Sequence, residues 1–145
     1  MTITSAVCNS FKQEILEAEH NFTASSGDTF NLALYDSSAV LNKSTTAYTT
    51  SEELATTGGY TAKGKALTSV TPTLDSDTAV CDFSPNISWT SASFTARGCL
   101  IFNDDHASDA SVCAIDFGGD KTVTSGTFTV EFPAPAASTA IIAIA

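Results

Sequence analysis

From Thr29 onward the chain is written in short runs of alternating apolar and polar residues, each cut off by glycine, proline, asparagine or serine. A period of two puts every second side chain on the same face of an extended backbone, so each run reads as a strand with one buried face. The cleanest is Thr29–Tyr35, with Phe30, Leu32 and Leu34 on one face and Asn31 and Tyr35 on the other. Further strands are expected at Tyr60–Ala66, Leu67–Thr71, Ala79–Phe83, Ile87–Thr90, Ser93–Phe102 and Ser111–Phe117. Another runs through Val123, Phe128, Val130 and Phe132, and a last one covers Thr139–Ala145. Gly98 interrupts the longest run, where a bulge is expected. Gly118-Gly119-Asp120 reads as a turn, and Ser84-Pro85-Asn86 and Pro133-Ala134-Pro135 as stops. About eight or nine short strands with turn signals this close predict a mainly β domain over residues 29–145, a single β-sandwich or small barrel.

Residues 1–20 read differently, as the one helical segment. Ser5 is the expected N-cap. Cys8, Phe11 and Ile15, with Leu16 beside them, form an apolar stripe at helical spacing. Glu14, Glu17 and Glu19 gather towards the C-terminal end, where the helix dipole disfavours negative charge. Such a helix needs a surface to dock on, in its own chain or a neighbour. Residues 36–58 also break the strand pattern: they are polar, with a short strand conceivable only at Thr46–Thr50. A loop of that length in a small domain is often where function sits.

The chain has 145 residues, which fits one domain able to bury a core without staples. Only 15% of them are charged, and serine and threonine make up roughly a quarter, so the surfaces are largely hydroxyl-covered. The net charge is −10, and the six basic residues are scattered, which argues against binding nucleic acid through its phosphates. It favours solubility and a basic partner surface. The N-terminal residues lack the basic and apolar regions of a signal peptide, and no apolar run approaches the ~20 residues of a membrane span. A cytoplasmic product with no membrane association is expected. Asn21, Asn42 and Asn86 head glycosylation sequons, chance matches in so serine- and threonine-rich a chain.

Little in the sequence points to catalysis, and no enzyme activity and no cofactor are expected. The two histidines, His20 and His106, lie outside any GxSxG or HExxH pattern, and no phosphate-binding glycine loop is present. Cys8, Cys81, Cys99 and Cys113 have neither CxxC pairing nor zinc-site spacing. They are expected to pack reduced as small hydrophobes, with a Cys99–Cys113 disulfide as the alternative. Asp104, Asp105, His106 and Asp109 offer the best place for a hard cation such as calcium, but their spacing is not that of an EF-hand. A solvated hairpin tip accounts for the same residues, so no metal site is assigned. Trp89, Phe94 and Phe102 sit at strand spacing and read as core.

Assembly is the natural alternative to chemistry. The candidate partner-docking residues are Phe11 and Ile15 on the helix, and Ile141 and Ile142 in the final strand. An apolar helix face and an apolar strand are common means of docking, by groove or by sheet-edge pairing.

The chain also resembles a family of small structural proteins of tailed phages, common in aquatic phages. The resemblance is carried by Ser5–Leu16, Phe30–Ala39, Thr45–Tyr48, Gly58–Gly64, Ile87–Ala92, Thr95–Gly98, Asp116–Gly118, Phe128–Pro133 and the terminal Ala140–Ala145. It departs from the family after the helix, where Glu17-Ala18-Glu19-His20 replaces a glycine-and-charge pattern. The resemblance implies a virion-associated protein made in the host bacterial cytoplasm, and supplies no catalytic residues. With the small size, β pattern and acidity, it leads to the expectation of a capsid decoration (cement) protein that binds the outer shell and stabilises it. The alternative is a tail, neck or fibre-associated, receptor-facing protein, with residues 36–57 as its exposed binding loop. The expected partners are the major capsid protein or tail components, and further copies of the chain in a homo-oligomer such as a trimer.

Overall fold

The computed structural model describes residues 2–145. The N-terminal segment gives β1 (Ala6–Val7) and α1 (Asn9–Leu16). Seven strands follow: β2 (Phe30–Tyr35), β3 (Lys65–Ala66), β4 (Ser69–Asp75), β5 (Thr78–Phe83), β6 (Ile87–Asn103), β7 (Ser111–Val130) and β8 (Ile142–Ile144). They form two antiparallel sheets, one in the order β1-β7-β6-β2-β3 and one in the order β4-β5-β8. This is the mainly β, sandwich-like architecture that the alternation predicts, with one short helix.

The helix begins later than Ser5. Ala6 and Val7 first pair with Ala114 and Cys113, so the backbone stays extended through Cys8 and turns helical only at Asn9. Ser5 caps nothing; its Oγ accepts the Asp116 N–H at 2.8 Å. The helix ends in a Schellman motif: Glu19 N–H reaches Glu14 O, Ala18 N–H reaches Ile15 O, and Ala18 takes φ 61°. Glycine is usual at that left-handed position, and here alanine fills it.

β2 is buried on both faces, which its alternation does not foretell. Phe30, Leu32 and Leu34 face the main core, shared by α1 and both sheets. Ala33 and Tyr35 face a second core with Ile3, Ala39, Leu41, Leu100, Phe102 and Ala114. The cover on that second face is the polar 36–57 segment. Ala39 and Leu41 are each 1% exposed, and the segment is pinned by bridges Ile3–Leu41, Tyr35–Glu53 and Ala47–Ala110. The strand expected at Thr46–Thr50 is reduced to the Ala47 bridge.

The chain runs straight through most of the expected breaks between Ile87 and Val130. Ile87–Thr90 and Ser93–Phe102 join into β6, and the two strands on either side of Gly118-Gly119 join into β7. The glycine pair makes no reversal. Ala96 pairs with Lys121 and Gly98 with Asp116, so residues 117–120 swell out of β7 opposite Arg97 alone. Arg97 spans this bulge, with Nε 3.0 Å from Asp116 and Nη1 3.7 Å from Asp120. The bulge expected at Gly98 falls in the same register shift. Further shifts near Ser91 and Ser125, both at positive φ, add twist to the ribbon.

Three of the expected strands are shorter or displaced. Between Tyr60 and Ala66 only Lys65–Ala66 pairs, because Lys63 and Gly64 hold positive φ and turn the chain. The strand expected at Leu67–Thr71 lies instead at Ser69–Asp75, with Pro72 inside a register shift on the edge strand β4. The terminal strand narrows to Ile142–Ile144, paired with Ala79–Cys81 of β5.

Candidate functional site

The structure places the four candidate docking residues around β8, and two of them are already occupied. Phe11 is 2% exposed and meets Phe22 edge-on at 5.9 Å. Ile142 is 5% exposed and pairs with Cys81. Both belong to the chain's own core, because α1 docks on its own sandwich; neither is a free handle. Ile15 and Ile141 are half-buried at the edge of that core.

Two apolar grooves flank β8. The smaller, about 310 Å³, lies between helix and strand and is lined by Val7, Phe11, Ile15, Leu16, Ile142 and Ile144. Leu16 and Ile144, 89% and 53% exposed, stand on its rim. The larger, about 510 Å³, is lined by Ile115, Phe117, Phe128, Val130, Phe132 and Ile141 among others. Most of its lining belongs to β7 and the residues that follow it, with Phe117 and Phe128 6.3 Å apart, and the outer edge of β7 is largely unpaired. Among the described residues β1 pairs with that edge only at Cys113 and Ala114, and no other strand continues the pairing to Val130. The larger groove went unread in the sequence, because its aromatic residues look like ordinary inward-facing strand positions.

The acidic hairpin loop already holds a cation, and that cation is Lys63. Its Nζ lies 2.9 Å from Asp104 Oδ1 and 2.9 Å from Asp109 Oδ2. It also sits over the rings of Tyr48 and Phe102, 5.6 and 5.9 Å from their centroids. The hydrogen bonds it donates to these two carboxylates, Asp104 foremost, raise the ammonium's pKa. Asp105 accepts the Thr29 N–H at 2.6 Å. The Tyr hydroxyls beside Lys63 serve the same anchoring. Glu53 accepts from Tyr60, from Tyr48 and from the Lys63 N–H, fixing the long loop to the sheet. Burial drives the Tyr48 hydroxyl up to about 12 and that of Tyr60 further still.

His106 turns away from those aspartates and meets the end of the helix. Its ring stacks on His20 with centroids 5.8 Å apart and planes inclined by 22°. Nε2 lies 2.8 Å from Glu19 Oε2. His20, its side chain sealed from solvent, lies 2.7 Å through Nε2 from Glu14 Oε2. The proton positions follow from Asn103. Its Oδ1 accepts the Asp105 N–H, so its Nδ2 is the donor, to Asp28 Oδ2 at 2.8 Å and to His20 Nδ1 at 3.1 Å. His20 therefore carries its proton on Nε2 and donates it to Glu14. One ligand atom each from Glu14, Glu19 and His106 lie within 4.8 Å of one another. No sequence spacing could reveal this set, since the hairpin brings His106 to the helix from far along the chain.

Ser108 Oγ also lies 3.0 Å from His106 Nδ1, giving a hydroxyl–imidazole–carboxylate line with Glu19. The same ring nitrogen accepts the Ser108 N–H at 3.2 Å, so the contact belongs to a local turn. Neither apolar groove is lined by these residues.

All four cysteines are free and buried in the main core. Burial pushes the Cys81 and Cys99 thiols up to about 12 and Cys113 well above the ordinary value, which keeps them protonated and unreactive. The Cys99–Cys113 disulfide does not form; the two lie on β6 and β7 in diagonal register, Cys99 opposite Ile115 and Cys113 opposite Ile101. Among the described residues no helix is long and apolar enough to cross a membrane.

Comparison of the chain with protein-family models, with curated proteins and with solved structures found no match.

Proposed function

We propose that this chain is a non-enzymatic structural component of a tailed-phage particle, a capsid decoration protein that binds the outer shell and stabilises it. The observation that carries this reading is the open outer edge of β7, together with the apolar groove that side chains of the same strand line. An unpaired edge offers backbone donors and acceptors to an added strand, and an apolar groove takes apolar side chains. The occupant it suits is an extended apolar segment of a neighbouring shell subunit. The chain's net charge of −10 favours approach to a basic shell surface. The polar clusters support the same reading, since they bind segments of the fold together: Lys63 to the hairpin loop, Glu53 to the long loop, His20 to the helix.

The tail, neck or fibre alternative rests on residues 36–57 as an exposed binding loop. Ala39 and Leu41 anchor that segment to the sheet, while most of its other side chains stay exposed or half-buried. Quantitative mass spectrometry of purified particles, with labelled antibody in electron micrographs, tests the proposal. A copy number that scales with the shell protein, and label over the capsid, is the expected result. A few copies per particle, or label confined to the tail, would overturn it.

A further inference from the structure

We propose that Asp82 is an acid-closed latch on the last segment of the chain. While its carboxyl is neutral, residues 132–144 lie closed on the smaller sheet; when the carboxyl ionises, the segment loosens and one wall of the larger groove moves with it. This motion is the same whatever fills the groove.

Asp82 sits on β5 between the contacts that hold the segment. Cys81, one residue before it, pairs with Ile142 of β8. Phe83, one residue after it, meets the ring of Phe132 at 5.9 Å. Phe132, Pro133 and Ile141 line the larger groove, so the contacts on either side of Asp82 keep that wall in place. Elsewhere the segment is lightly tied. β8 is three residues long and, among the described residues, pairs with β5 alone. Two exposed bonds add to it: Phe132 N–H donates to Asn86 Oδ1 and Ala137 N–H to Asp75 Oδ2, each at 2.8 Å. A short edge strand with few anchors is the kind of unit that opens without global unfolding.

The carboxyl in this seam has no counter-charge. It is 1% exposed, Oδ1 accepts the Phe83 N–H, and Oδ2 has no hydrogen-bond partner among the described residues. No lysine or arginine lies near enough to bias it. Among its neighbours, β4 brings only Asp75, with Asp77 in the turn to β5. Residues 132–145 carry no charged side chain, and Glu131 precedes them. On its own strand the adjoining group is the Cys81 thiol, held protonated by burial and by the charge of Asp82. A neutral carboxyl tolerates such a place. An ionised one with an unmet oxygen does not, and opening the segment brings water to it. Burial accordingly raises this carboxyl above the ordinary aspartate value. The opened segment restores the ordinary value. The closed form is therefore favoured in acid and loses ground as pH rises from that value through the raised one.

The test is hydrogen exchange of the full chain, read by mass spectrometry from about pH 4 to about pH 8 and corrected for the intrinsic rate at each pH. Protection of residues 132–144 should fall severalfold as pH rises. Their exchange should be nearly insensitive to low urea, the mark of a local opening, while that of β2 should speed up with urea. Asp82→Asn should hold the segment at constant protection. Asp75→Asn should keep the pH profile of the parent chain, because ionised Asp75 accepts the Ala137 N–H and its titration would loosen the segment in acid instead. That second variant decides the matter if Asp82→Asn fails to fold. Constant protection in the parent chain, the same fall in Asp82→Asn, a loss towards acid, a profile abolished by Asp75→Asn, or exchange as urea-sensitive as that of β2 would each overturn the latch.

Discussion

Gly64 and Leu32 are in backbone contact that leaves no room for a side chain. A Cβ on Gly64 would stand 1.8 Å from the Leu32 carbonyl oxygen, and Gly64 sits at φ 67°. Steric exclusion and the left-handed backbone act together here. Gly64→Ala should therefore cost at least about 3 kcal/mol by urea unfolding. Gly119→Ala, where a Cβ would meet nothing within 4 Å, is the matched control and should lie within about 0.5 kcal/mol of the parent chain. Equal effects at the two positions would contradict the contact.

The helix end offers the opposite change. Ala18 occupies the left-handed position of the Schellman motif at φ 61°. Ala18→Gly removes a backbone cost of about 1 kcal/mol. The melting temperature should rise by about 3 °C in a chain of this size. A fall would show that the helix terminus relaxes in solution.

Asp82 predicts a pH dependence. It is 1% exposed on β5; Oδ1 accepts its neighbour Phe83's N–H at 2.8 Å, and Oδ2 has no partner among the described residues. Burial raises its carboxyl above the ordinary aspartate value, partly opposed by the Phe83 N–H. The folded chain thus keeps this proton to higher pH than the unfolded chain does. Its contribution is greatest in acid, where both states are protonated, and is lost as pH rises from the unfolded value through the raised folded one. Asp82→Asn does not titrate. The stability of the parent chain relative to this variant should fall across that window, read from urea midpoints at a series of pH values. A constant difference would show that the carboxyl titrates normally.

The strands and their alternating faces were legible because a period of two survives any tertiary arrangement. Phe30, Leu32 and Leu34 face the main core as their spacing requires. What stayed hidden depends on partners distant in the chain. Glycine and serine mark a bulge and a turn alike, so Gly118-Gly119 gave no sign that Arg97 and Lys121 would carry the strand onward. Ala39 and Leu41 are too few to announce that a polar segment covers a sheet. Lys63 gave no hint that it would answer the charge of Asp104 and Asp109. Of the docking residues, the apolar character of Phe11 and Ile142 was plain, but its use inside the chain was not. The convergence of Glu14, Glu19 and His106 was beyond reach of any local pattern.

The register of the larger sheet constrains the order in which the chain can mature. Ala6 waits for Ala114, and Phe30 for Asn103, while Ile142 closes the smaller sheet against Cys81. During synthesis the apolar stretch of β2 therefore emerges long before β6 exists to cover it. Folding dominated by such distant pairings is slow, and the nascent molecule is most prone to sticking to its neighbours in that interval. Crowded synthesis would make shielding of that one stretch the step most exposed to aggregation.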